Sequence, residues 1–268
     1  MFLNKTIEFE IIKRRKVKRM NIALSRKSGR NSMGSMILRN RGKGHKRLFK
    51  LIDFMRILYN VPGCILRFDY DANRNNFLAL VLYKNGFISY IIACNLLKKN
   101  DIIYTGYNVP YKIGSCMPLY KIPIGFYIYN VELNEKKGSI FARAAGTKIQ
   151  MLKKTGQYVL IRLPSKEERV INLCNWAVLG KVAFDLKKLV KKLKAGQNRY
   201  KGIKSKVRGV AKNPIDHPHG GGEGKTTAGM PSVSPWGWYT KGLRTTTRFK
   251  RKVKFKWGFF KRRCNKVW

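Results

Sequence analysis

Acidic side chains are scarce in this sequence: 13 Asp and Glu stand against 58 Lys and Arg in 268 residues, a net charge of +45. A folded chain so poor in negative charge repels itself, so its working partner is a polyanion. Long apolar runs are missing too. Uncharged apolar stretches reach seven residues at Phe77–Tyr83 and twelve at Gly86–Leu97, whereas a membrane span needs roughly 20. That leaves nucleic acid ahead of a membrane. The five cysteines form no CxxC pair, and an odd count does not suggest a disulfide framework, so free thiols are expected. Only three histidines occur, and no G-x-S-x-G is present.

What charge there is lies mostly at the ends. Residues 1–52 carry 16 basic and 2 acidic side chains, net +14. Residues 53–180 carry 17 and 8, net +9, and residues 181–268 carry 25 and 3, net +22. A near-ordinary globular middle is thus flanked by two strongly basic ends. Like-charge blocks are commonly solvated tails, but these ends also hold glycines, prolines and tryptophans that a charge brush does not need.

The middle reads as all-β. FLALVLY (77–83) and FISYIIA (87–93) are β-branched and aromatic runs joined through Lys84-Asn85-Gly86, a strong hairpin signal. Similar runs cover 51–59, 64–70, 101–106, 126–133, 147–153, 157–163, 169–174 and 178–184. Many short strands separated by turn residues predict small barrels, not parallel α/β units. Residues 35–185 suffice for two, with a break expected between Tyr107 and Pro118. One helix is predicted over 185–196, with Leu186, Leu189, Val190 and Leu193 on one face, Asp185 as N-cap and Gly196 as stop.

The densest chemistry is NPIDHPHGGGEGKTT, residues 213–227. A phosphate-binding P-loop needs G-x-x-x-x-G-K-[ST] between a strand and a helix; its first glycine would fall on His219, and TTAGMPSVSP cannot continue as a helix. An esterase oxyanion loop needs a nucleophile elbow that the chain lacks. Zinc needs about four ligands, and Asp216, His217, His219 and Glu223 sit on a proline-stiffened backbone whose successive side chains diverge. No metal is expected. RNA fits all of the residues. Consecutive glycines let backbone N–H groups approach phosphate and sugar. Trp236, Trp238 and Tyr239 can stack on unpaired bases, while Lys225, Lys241, Arg244 and Arg248 neutralise phosphates.

GVAKNPIDHPHGGGEGKTTAGMPSVSPWGWYTKGLRTT (209–246) closely resembles the signature of the second large-subunit ribosomal protein family, L-two. KSGRNSMGSMILRNRGKGHKRLFKLIDF (27–54), LVLYKNG (80–86), IPIGFYIYNVEL (122–133), FARAAGTKIQ (141–150) and LGKV (179–182) extend the resemblance over roughly residues 25–250. It implies a mainly β chain: a basic extension (1–34), an OB-fold domain (35–112), an SH3-like barrel (113–190) and an extended basic rRNA-binding segment (191–268). It implies rRNA contacts at Ser28, Gly29, Arg30, Asn31, Gly34, Arg41, Gly42, Gly44, His45, Lys46, Arg47 and Arg143. In the second half the implied contacts are Arg208, Asn213, Pro214, Asp216, His217, His219, Gly220, Gly221, Gly222, Gly224, Lys225, Trp236, Lys241, Gly242 and Arg244.

The implied function is a structural one: a primary rRNA-binding constituent that supports subunit association and assembly of the peptidyl transferase centre. The implied partners are large-subunit rRNA, the small subunit at the intersubunit face and neighbouring ribosomal proteins, with no membrane, no cofactor and no enzymatic activity. Asp216 and His217 then read as architectural. The chain departs from the family pattern before Lys27, around Thr226–Met230, at Trp238-Tyr239 and in the tail 254–268. Phe and Tyr total 27, and Ile, Asn and Lys are abundant, as A+T-rich coding produces. With no secretory h-region and with Glu8 and Glu10 near the start, no presequence is expected. A mitochondrial ribosome is the expected compartment, with a plastid or an A+T-rich bacterium as the alternative. A general nucleic-acid packaging protein would also account for the charge, and a nucleotide hydrolase for GEGKTT alone.

Overall fold

The computed structural model describes residues 18–242 apart from Lys225 and Thr227. Residues 1–17 of the N-terminal extension, the aromatic tail, and the predicted contacts Lys225 and Arg244 lie outside the described residues.

The described residues fall into two compact units. One comprises residues 18–24 and Arg47–Lys191, the other Ser25–Lys46 and, among the described residues, 192–242. In the first, β1 (Asn21–Ala23) pairs antiparallel with β2 (Leu48–Lys50). Then β3 (Gly63–Asp71), β4 (Asn76–Tyr83), β5 (Ile88–Ile92) and β6 (Ile102–Ile103) make an antiparallel sheet ordered β5-β4-β3-β6. All seven residues of the 77–83 run and most of 87–93 are therefore strand, joined as expected by a hairpin.

That hairpin is tight for a reason legible in its letters. Gly86 N–H donates to Tyr83 O and Tyr83 N–H donates to Phe87 O, both at 2.9 Å. This is a type I turn closed by a left-handed residue, and Gly86 takes that position at φ +80°. Asn85 keeps a negative φ and instead accepts Phe87 N–H on its Oδ1.

The chain continues through β7 (Cys116–Pro118), β8 (Tyr127–Tyr129), β9 (Val131–Glu132), β10 (Ser139–Phe141), β11 (Ile149–Thr155), β12 (Tyr158–Arg162), β13 (Glu168–Asn172) and β14 (Trp176–Leu179). Six of these form one antiparallel sheet ordered β13-β12-β11-β8-β14-β7, and β9 pairs with β10. Burial follows the pattern. In β12, Val159 and Ile161 are buried while Tyr158 and Arg162 face out, the period of two expected for a strand covered on one face. β4 is buried almost throughout, because both of its faces are covered.

Two apolar cores result. One gathers Ile65, Leu78, Leu80, Tyr90, Ile92 and Ile103, joined by Tyr129, Trp176, Val178 and Val182 from the later strands. The other holds Met117, Leu119, Ile128, Ile149, Met151, Val159 and Ile161. Tyr129 Oη donates to Ile92 O at 3.2 Å, and Ala183 N–H donates to Ala93 O at 3.0 Å, so the two sheets are stitched along a common seam.

Three predicted elements differ. Residues 51–59 are not a strand. Asp53 Oδ1 accepts the amides of Met55 (3.0 Å) and Arg56 (2.7 Å), and this side-chain turn places Arg56 at φ +51°. The run is apolar because Ile52, Phe54 and Leu58 pack against the first core from a loop. Nor do residues 185–196 form a continuous helix. A 3-10 turn covers Asp185–Lys188, and a short α-helix, α1, starts only at Gly196 and ends at Tyr200. Asp185 caps nothing, since its carboxylate pairs with Lys181 and accepts from Asn95. Leu189, Val190 and Leu193 are exposed, so no apolar face is buried to offset repulsion among neighbouring lysines. Finally, only Val178 and Leu179 of the 178–184 run are strand, because Gly180 turns the chain at φ +116°.

Candidate nucleic-acid interface

The second unit has an unusual property: among its described residues no hydrophobic side chain is buried. Both cores belong to the first unit. What holds the second together is backbone. Gly42 N–H donates to Gly202 O (2.8 Å), His45 N–H to Tyr200 O (2.9 Å) and Lys204 N–H to Asn40 O (3.0 Å). Strands of main chain can approach this closely only where side chains are absent. A β-carbon on Gly202 would lie 2.6 Å from Gly42 O. Upstream, Gly29 O accepts from both Ile37 and Leu38, each at 3.0 Å, and Asn31 is bonded to Ser35 through both backbone and side chain.

Residues 208–224 form an irregular loop closed on itself. Asn213 O accepts from Asp216 (3.0 Å) and His217 (3.3 Å), His217 O accepts from Gly220 (2.8 Å), and Lys212 O accepts from Gly221 (3.1 Å). At its centre lie the two histidines, with ring centroids 5.1 Å apart. His217 is buried, its ring packed where a β-carbon on Gly209 would otherwise sit, 2.5 Å from Cε1. His217 Nδ1 accepts the His219 amide at 3.0 Å, and His219 Nε2 accepts the Val233 amide at 3.0 Å. An imidazole nitrogen that accepts is unprotonated, so each ring is neutral with its proton on the other nitrogen. Burial, then the repulsion that a protonated His219 ring would add and that of the cations Lys212 and Arg39, hold the His217 pKa below the ordinary imidazole value. The two rings are thus used as structural acceptors that tie the loop together and then to residue 233.

Past this loop, residues 232–240 form a small ribbon. Ser234 N–H donates to Trp238 O (2.7 Å) and Gly237 N–H to Ser234 O (2.9 Å), while Val233 pairs with Tyr239. Trp236 sits at its tip with the Arg39 guanidinium 5.4 Å from the ring centroid. Arg30, Arg41, His45, Lys46, Arg208, Asn213, Pro214, Asp216, Lys241 and Gly242 are all exposed. One unit therefore brings together nearly all the sequence-predicted contacts.

Residues 17–105 match the family model described as Ribosomal Proteins L2, RNA binding N-terminal domain. Residues 112–237 match Ribosomal Proteins L2, C-terminal domain. The chain belongs to the ribosomal L2 family. Among its relatives, the large ribosomal subunit protein uL2 of Ehrlichia canis (strain Jake) is 49% identical over 228 residues, covering 85% of this chain and 82% of the relative. The large ribosomal subunit protein uL2m of Reclinomonas americana is 44% identical over 237 residues, 88% and 85% of the two chains. The uL2 of Parvibaculum lavamentivorans (strain DS-1 / DSM 13023 / NCIMB 13966) is 42% identical over 235 residues, 88% and 84%. The L2 domains agree with the observed architecture, an OB-type β unit followed by an SH3-like one.

Two predicted contacts lie apart from the rest, in the first unit of this L2 chain. Arg47 Nη1 donates to Ala72 O at 3.1 Å. Arg143 stacks on Phe54 with its Cζ 4.3 Å from the ring centroid, and Arg74 lies 5.7 Å from the same ring. Burial and then the charge of Arg74 lower the Arg143 pKa, and Arg143 Nε is buried without a partner. Both guanidiniums therefore lie on the same aromatic ring. Arg39, Arg74, Gly202 and Gly209 were not singled out from sequence. Arg74 pairs with Asp71 at 2.7 Å and reads locally as a turn ion pair; nothing in the one-dimensional pattern brings it to Arg143. Among the described residues, no three of His, Cys, Asp and Glu gather as a metal-binding group, and no helix is long and apolar enough to cross a membrane. Cys64, Cys94, Cys116 and Cys174 are free thiols.

Proposed function

We propose that this chain is a structural constituent of the large ribosomal subunit that binds its rRNA chiefly through the second unit. The observation that carries the reading is a segment without an apolar core, held by backbone pairing and studded with exposed cations and aromatic rings. Such a segment gains its remaining stabilisation from a partner that fills the space around it, and a net charge of +45 makes that partner RNA. The body adds a second contact at Arg143 and Arg74. Co-sedimentation of the native chain with the large subunit tests the proposal; recovery in salt-washed fractions free of that subunit would refute it.

Within this reading, the loop at Asp216 and His217 organises rRNA near the peptidyl transferase centre and at the face toward the small subunit. His217 is placed as an architectural residue. A general base must present an accessible unprotonated nitrogen to the group it deprotonates, and the accepting nitrogen of His217 is taken by the His219 amide. Among the described residues Asp216 makes no side-chain bond to His217. We place the chain in a mitochondrial ribosome, a reading supported by its A+T-type composition and by the uL2m relative; the bacterial relatives at up to 49% identity favour a bacterial ribosome as the second reading. Organelle fractionation of the source cells decides between them.

A further inference from the structure

Trp238 and Tyr239 lie just beyond residue 237, where the match to the L2 C-terminal domain ends, and both rings are largely open to solvent, 70% and 57% exposed. They do not dangle. The ribbon that carries them repeats the geometry of the Tyr83–Phe87 hairpin: Gly237 N–H donates to Ser234 O, Ser234 N–H donates to Trp238 O, and Gly237 supplies the left-handed residue at φ +80°. Ser234 Oγ also accepts the Trp238 amide at 3.2 Å, and Thr240 is bonded to Ser232 through both backbone and side chain. Every one of these bonds is independent of the two aromatic side chains. Successive residues of a ribbon point to opposite faces, so Trp238 and Tyr239 offer one ring on each side of a pre-formed blade.

We infer that this blade is a stacking site for unpaired RNA bases, one against Trp238 and one against Tyr239, additional to the contacts implied by the family signature. The inference rests on the rRNA-binding reading and adds the ligand's chemistry. The charge around the blade selects the occupant. After Glu223 the sequence contains no Asp or Glu, Lys241 follows the ribbon in the chain, and Arg39 already lies over the neighbouring Trp236. Aromatic rings in a chain segment whose charged residues are all cations suit a nucleobase with its phosphate, because each base has a π-face and each link a negative charge. Stacking also discriminates: paired bases in a duplex hide their faces, and unpaired ones expose them.

The test titrates the full chain with a single-stranded oligoadenylate and with duplex RNA of equal length, at salt high enough to screen phosphate contacts. Trp238→Ala and Tyr239→Ala should each weaken single-strand binding about tenfold or more. Duplex affinity should stay as in the parent, and so should the salt slope, since no charge is removed. Trp238→Phe should recover most of the loss. Equal losses for duplex and single strand, or none for either, would overturn the stacking site. So would variants that keep parental RNA affinity yet leave the assembled subunit, which would assign the blade to a neighbouring protein. Should the parent chain itself bind neither RNA, the rRNA-binding reading fails along with the blade; a parent that binds while the variants match it sinks the blade alone.

Discussion

Gly220 has no room for a side chain. A β-carbon there would lie 2.3 Å from the carbonyl oxygen of Asn213, a backbone atom that cannot rotate away. Gly34 takes a left-handed φ of +83° but has nothing within 4 Å of the same position. Gly220→Ala should therefore open the 208–224 loop and weaken rRNA binding strongly, while Gly34→Ala should cost only the left-handed penalty of about 1–2 kcal/mol. Limited proteolysis of the two variants separates them; equal resistance within 208–224 would contradict the close-approach argument. His217 makes a second residue-level prediction. Its folded pKa lies below the ordinary 6.5, so between the two values the unfolded chain binds more protons. The contribution to stability is fully present above 6.5 and is lost as pH falls through the depressed value. Protection of the His219 amide should fall with the same midpoint, and a ring titration at or above 6.5 would show that Nδ1 is not held as an acceptor. His217→Ala should assemble poorly; normal particles with an altered pH–rate profile would instead make it a proton-transfer residue.

At the scale of elements, Asp53 decides the fate of residues 51–59. Its carboxylate accepts two amides and so supports Arg56 in its left-handed conformation, from which Arg56 Nη1 reaches Gly114 O at 2.9 Å. Arg56 is 2% exposed, and its Nε and Nη2 have no partner. Asp53→Ala should destabilise the first unit by about 1–3 kcal/mol, through two unpaired amides and a misplaced buried guanidinium. Urea unfolding of the full chain reads this directly, and an unchanged midpoint would remove Asp53 from that role. The segment 185–196 teaches the converse lesson. Its leucine spacing is helical, yet α1 begins where that pattern ends, because periodicity forms a helix only where a surface exists to bury the apolar stripe.

For the whole molecule, charge and packing divide. Arg47–Lys191 contains most of both cores but carries only 23 basic and 9 acidic side chains, net +14 of the +45. Expressed alone it should fold, whereas a cut at 180 would remove Val182 and Ala183 from the first core. It should bind rRNA far more weakly than the full chain and with a shallower salt slope. The full chain should lose roughly 10³-fold or more in affinity between about 50 and 200 mM salt, as several phosphate contacts release counterions. Binding by Arg47–Lys191 as tight as the full chain's would move the main RNA site onto the body, to Arg143 and Arg74.

Composition alone determined the class of partner, because +45 on one chain needs a polyanion whatever the fold. Local letters determined the strands of the middle and the Gly86 hairpin, since alternation and left-handed glycine are properties of a few adjacent residues. NPIDHPHGGGEG determined the family by its letters. Only the tertiary structure decided that residues 25–46 join the chain beyond 192, because backbone pairing between Gly42 and Gly202 leaves no periodicity in either segment. The same holds for Arg74 beside Arg143 and for the two neutral histidines. Each depends on which atoms a long-range approach brings within about 3–6 Å, and a glycine, an arginine or a histidine looks the same in sequence whether or not that approach occurs.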